Sequence, residues 1–135
     1  MAVRRFEDLR VWQLARELAR GVYRASQTQP LKNDRTLQEQ MKRAAISIVS
    51  NIAEGFERGT RKQQVEFCYL AKGSAGELRA QVIVATDLGL LNAKAAEWLT
   101  ERCERCSRML AVLIDHLRRS GSRIQGDKFK AVPDK

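Results

Sequence analysis

The stretch LTERCERCSRMLAVLIDHL, residues 99–117, decides the fold. Leu99, Cys103, Cys106, Leu110, Leu113 and Leu117 step by four and three along it, the a/d repeat of a helix that buries one continuous seam. Such a seam does not hold a helix in water by itself; other helices must cover it. The same periodicity recurs three times upstream. Val11, Ala15, Leu18 and Val22, widened by Trp12, Ala19 and Tyr23, mark a first helix over about 9–26, with Asp8 as its expected N-cap. Leu37, Met41, Ala44, Ala45, Ile48, Ile52 and Phe56 mark a second over about 36–57, started by Asp34 or by the Thr36-to-Glu39 capping box and stopped by Gly59. Phe67, Ala71, Ser74, Ala75, Leu78, Val82, Ala85 and Leu88 carry a third over about 61–88, and Asn92 can cap the fourth, about 93–119.

Four helices joined by three short connections pack antiparallel, so the expected fold is all-α, an up-down-up-down four-helix bundle spanning 1–119. Gly73 and Gly76 fall inside the third helix, where each is worth about 1 kcal/mol less than alanine; close backbone packing would offset this. After Ser120 the composition turns to Gly, Ser, Lys and Arg, which reads as a mobile basic tail over 120–135.

A formal net charge of +9 over 135 residues favours polyanionic partners, meaning RNA, DNA or an acidic protein. The antiparallel topology predicts where that charge collects. The start of the first helix, the turn between the second and third, and the end of the fourth share one pole. Arg4, Arg5, Arg10, Arg58, Arg61, Lys62, Arg118 and Arg119 gather there against Glu7, Asp8, Glu57 and Asp115. These eight cations are the expected nucleic-acid-binding set, contacting phosphates without strong base selectivity. Salt-dependent binding is the expected behaviour.

On the second helix Gln40, Ser47, Asn51 and Glu54 share one polar stripe. Ser and Asn are mediocre helix formers, so a hydrogen-bond network to a neighbouring helix or subunit, or a partner site, would account for them. The Cys103-Glu104-Arg105-Cys106 spelling resembles a redox or zinc motif, but both thiols sit on core positions in mid-helix. His116, the only histidine, lies about 15 Å further along the axis. Cys68, Cys103 and Cys106 are therefore expected as free, buried thiols. No Ser-His-Asp set, phosphate-cradling glycine loop or paired metal carboxylates occur, so neither catalysis, cofactor nor metal is expected. No stretch reaches the roughly 20 apolar residues of a membrane span, and Met1 to Phe6 does not resemble a secretory leader, which points to the cytoplasm.

The segment QMKRAAISIVSNIAEGF, Gln40 to Phe56, closely resembles the signature of a bacterial four-helix-bundle family related to ribosomal-RNA intervening-sequence proteins. FEDLRVW, Phe6 to Trp12, resembles that family's opening, and Phe67, Leu70, Ala71, Gly73-Ser74, Glu77-Leu78 and Leu88-Gly89 resemble its third-helix pattern. Distant relatives are accessory variability proteins of retroelements. The resemblance implies a non-enzymatic bundle that assembles with copies of itself, typically as a ring of five. It also implies RNA or DNA binding in some branches, with docking of an acidic protein such as a polymerase as the alternative.

Overall fold

A computed structural model describes residues 2–121 and 123–131, Asp127 by its backbone alone. The chain is an all-α bundle of four long helices, α1 (Arg10–Ser26), α2 (Arg35–Arg58), α3 (Arg61–Asp87) and α4 (Ala93–Ser120). α1 packs against α2 and α4, and α3 closes the square against the same two. The order is antiparallel throughout. Trp98 near the start of α4 touches Gly21 near the end of α1, while Leu113 late in α4 lines one cleft with Leu9 and Val11 at the start of α1.

Local chemistry sets most boundaries. The Asp34 carboxylate accepts the Leu37 N–H at 3.0 Å, the Thr60 hydroxyl accepts from Gln63 N at 3.3 Å, and the Asn92 side chain accepts from Ala95 N at 2.8 Å. Each satisfies one of the orphan donors of a first helical turn. Gly59 ends α2 with φ at +77°, a left-handed conformation that glycine adopts without penalty. Asp8 does not cap α1 as expected; it belongs to a 3-10 turn, Phe6–Asp8, and Leu9 stands at the cap without a side-chain bond.

The core follows the stripes, and all six seam positions of α4 are buried. Elsewhere the structure departs from the sequence pattern. Tyr23 and Leu88, assigned to core stripes, are exposed, Leu88 to 63%; Tyr23 instead lies beneath the Lys42 ammonium at 5.1 Å. Gly73 and Gly76 are not sites of close packing, since a Cβ at either would meet nothing within 4 Å. They are exposed on the outer face of α3, which no other helix covers among the described residues.

The segment after Ser120 departs as well: rather than a free tail, it folds back as a strap across the pole. Val3 N donates to Ile124 O at 2.8 Å, Ala131 N donates to Asp8 O at 2.7 Å, and antiparallel bridges pair Ala2 with Gln125 and Leu9 with Lys130. Ile124 and Phe129 are buried to 3% and 6% exposure, the Phe129 ring lying 4.7 Å from His116. Two apolar anchors in an otherwise basic segment are enough to hold it down. Asp134 and Lys135, counted within the expected tail, lie outside the described residues.

Candidate nucleic-acid interface

The basic pole is built where the α2–α3 turn, the Phe6–Asp8 turn and the end of α4 come together. The α2–α3 turn carries Arg58, Arg61 and Lys62, and the Arg61 guanidinium donates to the Arg118 carbonyl at 3.5 Å, which brings this turn to the end of α4. The Phe6–Asp8 turn packs on α1 and α2, placing Arg4 and Arg5 beside the strap. Not every cation there is open. Arg58 pairs with Glu54 at 2.8 Å, Arg119 with Asp115 at 2.6 Å, and Arg5 with Asp8 at 3.7 Å. All three pairs are exposed and worth at most about 1 kcal/mol each, so a phosphate could displace the carboxylate at little cost. Arg4, Arg61, Lys62 and Arg118 have no carboxylate within bridging distance among the described residues.

Sequence reasoning missed an aromatic at this pole. Tyr69 is 46% exposed on α3, with the Arg118 guanidinium 5.3 Å from its ring centre. A solvent-facing ring beside a guanidinium suits an unstacked base. Its only sequence signal is negative: Tyr69 stands off the apolar stripe of α3.

Arg10, the first residue of α1, stands at the edge of the pole beside the strap. It lines a cleft between α1 and α4 whose floor is Val11, Met109, Val112 and Phe129, and whose rim also carries Arg105, Arg108 and Lys128. The groove continues past Arg16 and Arg20, with Glu17 its one carboxylate. None of these rim positions except Arg10 stood out in the sequence. Their association needs α1 and α4 side by side and the strap in place.

The polar stripe of α2 is partly a network. The Ser47 and Ser74 hydroxyls lie 2.8 Å apart across the α2–α3 contact, and Asn51 Nδ2 donates to Ser47 O at 2.8 Å and Ser47 Oγ at 2.9 Å. Half-buried bonds of this kind are each worth about 1 kcal/mol and fix the register of α2 on α3. Glu54 turns instead to Arg58, and Gln40 is exposed and outside the network.

Burial pushes the thiols of Cys68, Cys103 and Cys106 up to about 12, so they stay protonated and unreactive near neutral pH. His116 Nε2 is buried with no hydrogen-bond partner among the described residues. No three His, Cys, Asp or Glu side chains among the described residues converge as a metal site would require, and no helix there is long and apolar enough to cross a membrane. A family model described as 23S rRNA-intervening sequence protein matches residues 7–112. No curated protein matches the chain.

Proposed function

The chain belongs to the 23S rRNA-intervening sequence protein family, and from that premise we propose that it is a non-enzymatic, homo-oligomeric scaffold, pentameric by resemblance, that binds RNA or DNA through its basic pole. One observation carries the nucleic-acid reading. The Arg118 guanidinium, free of carboxylates among the described residues, lies over the exposed Tyr69 ring, and Arg61 donates to the Arg118 carbonyl, so charge for phosphates and a face for a base stand together. Arg4, Arg5, Arg58 and Arg119 extend the charged surface. Arg10 belongs to the neighbouring cleft.

The non-enzymatic reading draws on side-chain chemistry. The thiols are protonated and buried, the lone histidine faces Phe129, and Glu54 is an exposed partner of Arg58. None has the paired environment that tunes an acid or base.

Binding to a ribosomal-RNA fragment is expected to fall linearly with salt on logarithmic axes. Lys62→Ala and Arg118→Ala should each lower the slope by about one, as expected when one phosphate is no longer neutralised. Filter binding between low and physiological salt checks this. Retention of no nucleic acid at low salt overturns the reading.

The alternative is a scaffold docking an acidic protein, and the apolar floor of the α1/α4 cleft favours it. Nuclease treatment before affinity recovery separates the two: a partner held through nucleic acid disappears, and a direct protein partner stays.

A further inference from the structure

We propose that the α1/α4 cleft is a binding site for a small hydrophobic carboxylate, an organic acid whose hydrocarbon body rests on the floor while its carboxylate meets the rim cations. The floor is four aliphatic side chains, the Met109 thioether and the Phe129 ring, with no polar side chain among them. Arg10, Arg105, Arg108 and Lys128 stand around it. Arg10, Arg108 and Lys128 form no ion pair among the described residues, and Arg105 reaches Glu101 at 3.6 Å on the surface. Arg108 also borders the α3/α4 groove one turn from Glu104, yet no bridge joins the two.

Such a lining selects its occupant by charge and by size. A guanidinium matches a carboxylate with two parallel hydrogen bonds, and an apolar floor rewards only a body that loses nothing on leaving water. A nucleobase seated there would give up the hydration of its polar edges with nothing in return, and a bare phosphate would leave the floor wet. The cleft holds about 240 Å³. A cavity of about 150 Å³ takes benzene, so this one takes a body of about eight to ten carbons, straight-chain or aromatic. A helix of a partner protein, about 10 Å across, is too wide to enter.

Lys128 and Phe129 belong to the strap, so the site is complete only while the strap is docked. A ligand that binds the docked form alone holds the strap down by mass action.

Methionine-methyl NMR on the full chain tests this, because Met109 lines the cleft and Met41 is fully buried in the core away from it. Octanoate and 2-naphthoate should each move the Met109 resonance and leave Met41 in place; the tighter of the two identifies the body as straight-chain or aromatic. Arg108→Gln with Lys128→Gln should weaken both acids about tenfold and leave 1-octanol unchanged. Val112→Asp, at a half-exposed position on the floor, should abolish acid binding, with circular dichroism checking that each variant folds. With acid at ten times its dissociation constant, amide exchange at Val3 and Ala131 should slow about tenfold. A Met109 resonance that neither acid moves at millimolar concentration overturns the proposal, and so does 1-octanol binding as tightly as octanoate. Exchange at Val3 and Ala131 that stays unchanged at saturation overturns it too. AMP, or an acidic peptide carrying one leucine, that moves Met109 more strongly than either acid gives the cleft to nucleic acid or to a protein, and overturns the proposal equally.

Discussion

Gly55→Ala is expected to destabilise the bundle by about 1 to 2 kcal/mol and Gly55→Val by about 3 kcal/mol, although alanine is the better helix former by about 1 kcal/mol. A Cβ at Gly55 would lie 2.7 Å from Phe67 Cβ, with Gln64 Cα and O at 3.6 Å. Those atoms are backbone or next to it, so no rotamer change relieves the clash, and α2 must move off α3. The control lies in the same pair of helices. Gly73→Ala and Gly76→Ala enter open space and should each gain up to about 1 kcal/mol. Thermal unfolding reads both signs, at about 4 °C per kcal/mol for a chain of this size. A melting temperature that rises for Gly55→Ala would mean that the α2–α3 contact yields.

Phe129→Ala should cost about 2 to 3 kcal/mol, near the value of one buried aromatic side chain. Deleting residues 123–135 should cost no more than that. Once Phe129 is gone the strap can detach and recover chain entropy, so its docking energy is a ceiling on what any change within it can remove. Denaturant unfolding of the two variants beside the parent tests the pair. A Phe129→Ala variant within about 0.5 kcal/mol of the parent shows that the ring is not anchored; a deletion far costlier than the point change shows that the strap supports more than itself.

What is legible in the sequence is what short-range periodicity encodes. The four-and-three step from Leu99 to Leu117 predicts burial position by position, and Asp34, Thr60 and Asn92 announce their helices through hydrogen bonds three residues long. The Ser47–Asn51 bond is likewise legible, being one helical turn apart. Long-range association is not. Ile124 and Phe129 look like isolated apolar residues in a basic segment until Val3 and Leu9 are brought beside them. Arg10 and Arg108 share a rim only because α1 and α4 are neighbours. Leu88 misleads because it continues the stripe past Asp87, where α3 itself ends, and the periodicity of a stripe carries no record of where its helix stops.

The bonds from Val3 to Ile124 and from Ala131 to Asp8 join segments separated by nearly the whole chain. Helices form from local contacts and hairpins of helices from nearby ones, whereas this closure has to wait until both ends are delivered to the same pole. The strap is then the last part of the molecule to fall into place and the first to lift away. Amide hydrogen exchange should register it as a separate unit, with Val3 and Ala131 releasing their protons together and well ahead of the α4 interior. The pole that gathers the positive charge is thus also the part of the fold that opens most readily.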